Sequence, residues 1–172
     1  GYIGLEMGSV WSRLGSSVTV IEFLDNIVPN VDLEIAKHFH RNLQKQGLNF
    51  MLGTKVIQVD VNDKSVALLA EAVNGGSQQK IDCDVVLVAV GRKPSTDNLG
   101  LEELGVKRDK SGFLCVNDKL ETSVANILAI GDCIPGPMLA HKAEEDGVAA
   151  VEMIAGGSAH IDHNLVPSII YT

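Results

Sequence analysis

The spacing of apolar positions changes several times along the chain, and each change predicts an element. Leu5, Val10 and Leu14 stand at helical intervals over residues 5–14, with Gly8 small enough for close packing and Gly15-Ser16 as the stop. Residues 18–21 are a β-branched run, Val-Thr-Val-Ile, bounded by turn formers, which predicts a short buried strand. Asp32 offers an N-cap, Ile35, Ala36, Phe39 and Leu43 follow at helical spacing, and Gly47 sits where a left-handed C-cap belongs. Residues 48–52 predict a second short strand.

The rhythm then shifts to alternation. Ile57, Val59 and Val61 alternate with Gln58 and Asp60, a half-buried strand pattern. Asn62-Asp63-Lys64 turns the chain into residues 66–69, and Asn74-Gly75-Gly76-Ser77 turns it again toward Ile81, so a three-stranded antiparallel meander is expected. Residues 85–90 are apolar on both faces and end at Gly91, as in a covered strand of a parallel sheet. Beyond Arg92, Lys93-Pro94-Ser95-Thr96 breaks regularity and marks a domain junction. Residues 127–130 predict one more buried strand, closed by Gly131-Asp132. Residues 138–154 predict a long helix, and a strand begins at residue 166.

Composition sets the class of molecule. Apolar residues make up 45% and charged residues 21% of the 172, with mean hydropathy +0.16, which are globular values. The net charge of -8 argues against a nucleic-acid partner, which selects a basic face. No apolar run reaches the ~18 residues that span a bilayer, so no membrane partner is expected. Cys83, Cys115 and Cys133 form no Cys-x-x-Cys pair, and the scattered histidines offer no ligand pair, so no metal site is expected. The unpaired cysteines suit a reducing compartment.

The chemistry begins at the first residue. Gly1-x-x-Gly4 opens a helix, and Glu22 closes the next strand 18 residues later. This is the second half of a dinucleotide fingerprint: a small residue lets helix approach sheet, and the helix start points amides at pyrophosphate. The acid accepts the ribose hydroxyls and repels a 2′-phosphate. No Lys or Arg follows Glu22 until Lys37, so NAD is favoured over NADP. Two glycines opening a helix and a solvated acid at a strand end are the plainer reading. The strand and first two glycines of a complete motif are expected to be missing, because the sequence starts inside it.

Longer matches are more specific. Residues 1–15, from Gly1-Tyr2-Ile3-Gly4-Leu5-Glu6 through Arg13-Leu14-Gly15, resemble the NAD segment of the dihydrolipoyl dehydrogenase family, within the class I pyridine nucleotide-disulfide oxidoreductases. Residues 18–23 are similar to that family's ribose-binding strand, and Val90-Gly91-Arg92-Lys93-Pro94 to its return into the flavin domain. Ala129-Ile130-Gly131-Asp132 and residues 136–143 resemble its second flavin motif.

The resemblance implies an α/β fold of the Rossmann-like FAD/NAD(P)-binding kind. It has three layers: a parallel sheet, helices on one face and the antiparallel β-meander on the other. Residues 1–93 would be the NAD domain without its first strand, 94–165 the carboxy-terminal part of the FAD domain, and 166–172 the start of the dimer-interface domain. It also implies roles. Gly1, Tyr2, Ile3, Gly4, Leu5 and Glu6 would lie against NAD, Glu6 near the carboxamide, with Tyr2 covering the flavin face until NAD arrives. Glu22 would hold the adenosine ribose, Val56 the adenine side, and Gly91 would close over the nicotinamide. Asp132 would bind the ribityl hydroxyls of FAD. Met138, Leu139, Ala140 and His141 would present amides to the pyrimidine end of the flavin, where negative charge collects on reduction. Trp11 and Met7 read as core, and Cys133 as a buried thiol.

The family works through a Cys-x4-Cys disulfide and a His-Glu pair, and this sequence carries neither, so no catalytic residue is assigned. The implied activity is oxidation of dihydrolipoamide to lipoamide, with electrons passing through a disulfide and FAD to NAD. Implied partners are a second subunit in a homodimer and the 2-oxo acid dehydrogenase complexes. The implied location is the cytoplasm in a bacterium or the mitochondrial matrix in a eukaryote. The rivals are a non-catalytic dinucleotide-binding module and a glutathione-type or mercuric reductase.

Overall fold

The computed structural model describes residues 1–158 and 161–172. They form two compact units, one of residues 1–91 with 170–172 and the other of residues 92–169.

The first unit opens on α1, Tyr2–Arg13, followed by β1, Thr19–Ile21, α2, Leu33–Lys45, and β2, Asn49–Met51. β1 and β2 pair in parallel, with Val20 opposite Phe50. Such a pair needs a crossover helix, and α2 supplies it. Asp32 caps α2, its carboxylate accepting the amides of Glu34 and Ile35. Gly47 takes the predicted left-handed conformation. Leu5, Ile27, Val28, Ala36, Leu43 and Leu48 form the core, against which Val18, Val20, Phe39 and Phe50 pack. A Cβ on Gly8 would lie 3.3 Å from Val18 Cγ1, so α1 reaches the strand only because that residue has no side chain.

The meander is present. β3, Thr54–Val61, β4, Val66–Ala72, and β5, Gln79–Cys83, form an antiparallel sheet in that order. Val59 pairs with Leu68, and Leu68 with Ile81. A register shift between Val56 and Gln58 leaves Ile57 unpaired. Parallel ladder, crossover helix and meander together establish the α/β class.

Two expectations in this unit need correction. Residues 85–90, expected as a covered strand, run beside α1 with Ala89 Cβ 3.4 Å from a Cβ placed on Gly4, but join no sheet. Val88 is 74% and Val90 93% exposed. An apolar run becomes a strand only when a neighbour takes up its amides and carbonyls, and no described residue does so here. Met7, expected in the core, is exposed, and Trp11 is half-buried, because α1 turns Leu5, Gly8 and Ser9 inward instead.

The second unit is mostly turns with one short and one long helix. Its core is Val106, Leu114, Leu120, Ala129, Ile134 and Ala150. A short helix α3, Leu101–Leu104, lies between the left-handed residues Gly100 and Gly105. The strand expected at residues 127–130 shrinks to a single bridge, Glu121 to Leu128. Left-handed turns at Leu120 and Asn126 bend the chain on both sides, so no ladder can extend. A 3₁₀ turn, Gly131–Cys133, leads to the long helix α4, Ala140–Ile154. The helix begins two residues later than expected because Leu139 is extended, its amide bonded to Pro137 O. Beyond the 3₁₀ turn His163–Leu165, the strand expected from residue 166 does not form, as no sheet edge among the described residues accepts it.

Leu43 is fully buried, so Leu43→Ala should lower the unfolding free energy by about 2–5 kcal/mol, read from chemical denaturation. A loss below about 1 kcal/mol would show that this core can collapse around the gap.

Candidate functional site

In the first unit, α1 starts without a side-chain cap and without an acid in its first turn. The amides of Tyr2, Ile3 and Gly4 therefore have no intrahelical acceptor, and the positive end of the helix dipole is unopposed. Glu22 follows β1 directly. Its backbone is held on both sides, its amide donating to Met51 O and its carbonyl accepting from Thr54 N. One carboxylate oxygen accepts the Leu24 amide at 3.1 Å, and the other lies 3.6 Å from the nitrogen of Gly1. The fold thus brings the glycine start of α1 and the acid to one place, as a dinucleotide fingerprint requires.

The remaining candidates in this unit scatter around that centre. Leu5 is buried in the core and offers only its backbone. Glu6 accepts the Tyr171 amide at 2.9 Å, and Tyr2 is part-exposed beside it on the helix. Val56 pairs with Ala70 in the meander and exposes its side chain. Gly91 has φ +135°, a conformation that favours glycine, and ends the unit.

In the second unit, Asp132 sits in the 3₁₀ turn, half exposed, with the Arg92 guanidinium 2.7 Å from Oδ2. The turn requires glycine before it: Gly131 has φ +70°, and a Cβ there would lie 3.1 Å from Ala143 Cβ. Its amide and its carbonyl are both held. Gly131 N donates to Asp146 Oδ2 at 2.9 Å, and Gly131 O accepts from Lys142 Nζ at 2.9 Å. Lys142 and Asp146 form an ion pair at 2.8 Å, one helical turn apart and both wholly buried. His163 Nε2 lies 2.9 Å from Asp146 Oδ1. Burial alone would push the Asp146 carboxyl up. Hydrogen bonds from Lys142, His163 and the Gly131 amide, with the Lys142 charge, outweigh it and hold the group below the ordinary aspartate range.

Met138 and Leu139 precede α4, while Ala140 and His141 begin it, again with no side-chain cap and no acid in the first turn. The His141 ring contacts Pro167 O through Nε2 at 2.9 Å, so its side chain is engaged as well as its amide. Cys83, Cys115 and Cys133 are free thiols. The Lys142–Asp146 pair was not expected from the sequence, although a Lys and an Asp four apart on an alanine-rich helix face are a visible signal. Arg92 stands within the motif at residues 90–94, and nothing local marks His163.

Each helix start suits an electron-rich group: orphan amides, a positive dipole end and no acid in its own first turn. Asp132 beside α4 adds an acceptor suited to hydroxyl groups. FAD and a nicotinamide dinucleotide match these donor sets, so the residues present fit the cofactors implied by the motifs.

Comparison with known proteins places the chain in a family. The family described as pyridine nucleotide-disulphide oxidoreductase matches residues 1–147. The chain is 57% identical, over all its 172 residues, to a protein named dihydrolipoyl dehydrogenase 2, mitochondrial, from Arabidopsis thaliana, and covers 34% of it. It is 52% identical over 174 aligned residues to the mitochondrial dihydrolipoyl dehydrogenase of Rattus norvegicus, again covering 34%. Among solved structures, LpdA from Mycobacterium tuberculosis superposes with a TM-score of 0.87 at 25% identity, over 100% of this chain and 37% of that one. The HOCl-induced flavoprotein disulfide reductase RclA from Escherichia coli gives 0.81 at 27% identity, over 95% and 36%. The chain therefore spans about a third of the length of the curated relatives it matches.

Because folding lowers the Asp146 pKa, ionised Asp146 stabilises the fold above the ordinary value of 3.8, and that stabilisation is lost as pH falls through the lowered pKa. Asp146→Asn should remove this acid dependence. It should also cost about 3–5 kcal/mol at pH 7, because Lys142 is left buried without its counter-charge. Acid titration of unfolding by circular dichroism checks both, and an unchanged acid limb would refute the assignment.

Proposed function

The chain belongs to the pyridine nucleotide-disulphide oxidoreductase family, and from that membership we propose that it is the NAD-binding region and part of the FAD-binding region of a dihydrolipoyl dehydrogenase. The observation that carries the nucleotide half is Glu22 set against the uncapped start of α1. The names of relatives 52–57% identical along the whole chain support the substrate, dihydrolipoamide. They likewise support service to 2-oxo acid dehydrogenase complexes, and a mitochondrial site in a eukaryote.

In this reading residues 1–93 bind NAD, residues 94–165 complete one side of the flavin site, and residues 166–172 lead into a dimer interface. The amides of Tyr2, Ile3 and Gly4 receive the pyrophosphate, where a peptide N–H can approach because Gly1 and Gly4 carry no side chain. Glu22 accepts both adenosine ribose hydroxyls and excludes a 2′-phosphate by charge. Val56 lies on the adenine side, Glu6 orients the carboxamide, and Gly91 closes over the nicotinamide with Tyr2 nearby. Leu5 holds α1 to the core so that these groups share one geometry.

When bound, FAD passes two electrons from a thiol pair to NAD. This chain's residues shape its environment. Asp132 accepts hydroxyl protons of the ribityl chain. The extended Met138-Leu139 and the first amides of α4, at Ala140 and His141, meet the pyrimidine edge with donors and a positive dipole end, which favours negative charge there. No Cys-x4-Cys occurs in the chain, so the thiol chemistry is assigned to other residues of a longer protein.

Two measurements test this reading. In the full-length enzyme, NAD should be preferred, and Glu22→Arg should shift kcat/KM toward NADP by at least about tenfold, the effect of roughly 1.4 kcal/mol. Equal use of NAD and NADP by the unaltered enzyme would overturn the Glu22 assignment. The 172-residue chain alone should not oxidise dihydrolipoamide at any FAD concentration, and measurable turnover would show that Cys83, Cys115 or Cys133 does redox work.

A further inference from the structure

The Lys142–Asp146–His163 cluster demands an explanation that stability does not provide. Lys142 and Asp146 are wholly buried and bonded to each other, yet a buried ion pair stabilises a fold little more than apolar residues of the same size. What apolar residues cannot do is hold both the N–H and the carbonyl of one residue, which belong to the two peptide groups on either side of its Cα. These two side chains do so at Gly131, the residue immediately before Asp132. The same cluster also meets the next bend. A Cβ on Gly136, which has φ +126°, would lie 3.2 Å from His163 Nδ1 and 3.4 Å from Lys142 Cε. The turn carrying Asp132 and the loop leading to Met138 therefore rest on one polar base.

We propose that Lys142, Asp146 and His163 are positioning residues that clamp the two peptide groups flanking Gly131 and so aim the Asp132 carboxylate at the flavin. The inference rests on the reading of Asp132 as a flavin ligand. None of the three side chains need touch the cofactor. Asp146 fixes the amide side, Lys142 the carbonyl side, and His163 takes the second Asp146 oxygen, which stops that carboxylate from rotating. With both flanking peptide planes pinned, the 3₁₀ turn has one orientation, and Asp132 meets a ligand without paying to be ordered.

The test is a double-mutant cycle in the full-length protein, with FAD dissociation constants measured by fluorescence and folding checked by thermal unfolding. Asp132→Ala should weaken FAD binding by about tenfold or more, and Asp146→Asn by a similar factor, the size expected for a lost charged hydrogen bond. If Asp146 acts through Asp132, adding Asp146→Asn to Asp132→Ala should weaken binding by less than about twofold further. Fully additive losses would overturn the positioning role while leaving Asp132 as a ligand. Unchanged FAD affinity in Asp132→Ala alone would overturn the flavin reading itself. Should Asp146→Asn fail to fold, His163→Gln replaces it in the same cycle, because His163 is partly exposed and its loss leaves the ion pair intact. The same non-additivity is then expected, from a smaller single effect of about threefold.

Discussion

The second unit depends on one buried charge pair. Lys142 and Asp146 give up hydration to sit inside α4, and only mutual pairing with two backbone bonds makes that tolerable. Because the bonds go to the two peptide groups that flank Gly131, the pair does more than neutralise itself. It holds Gly131 in a left-handed conformation that favours glycine, with Ala143 Cβ 3.1 Å from where a Cβ would be. The 3₁₀ turn and the exposed Asp132 follow from that constraint.

The first unit solves a different problem, how to bring a helix start close to a strand end. Gly8 gives up its side chain so that α1 can meet Val18, and Leu5 anchors the helix in the core. The Gly1 nitrogen at the start of α1 then lies 3.6 Å from the Glu22 carboxylate that follows β1. In the function proposed above, cofactor choice comes down to that single charge.

The chain is acidic, with a net charge of -8, yet two helix starts offer it local positive charge. Partial charges on oriented amides attract anionic groups at a range of one helical turn, without a basic patch. Leaving both helices uncapped sacrifices some stability, since a capping side chain contributes about 0.5–2 kcal/mol, and keeps those donors free. This is a pattern expected of binding sites, where local rules are broken for function.

Periodicity and turn residues by themselves determined much of the first unit. The β-branched run at Val18, the Asp32 cap, the alternation at Ile57, Val59 and Val61, and the glycine turns all became the elements they predict, because each carries its local cause in a few adjacent residues. Gly1, Gly4 and Glu22 were readable as one constellation because the fingerprint has a fixed spacing. What lay beyond reach depends on partners distant in sequence. Residues 85–90 have every intrinsic feature of a strand, yet a strand is defined by its neighbour, and tertiary structure supplies none among the described residues. Residues 127–130 lose their ladder to left-handed turns at Leu120 and Asn126, which composition does not announce. Nothing adjacent to Lys142 and Asp146 announces their burial, and His163 joins them only because the chain folds back on α4. Local chemistry is written in the sequence; burial and long-range pairing are decided by the whole fold, because both depend on which surfaces the chain finally brings together.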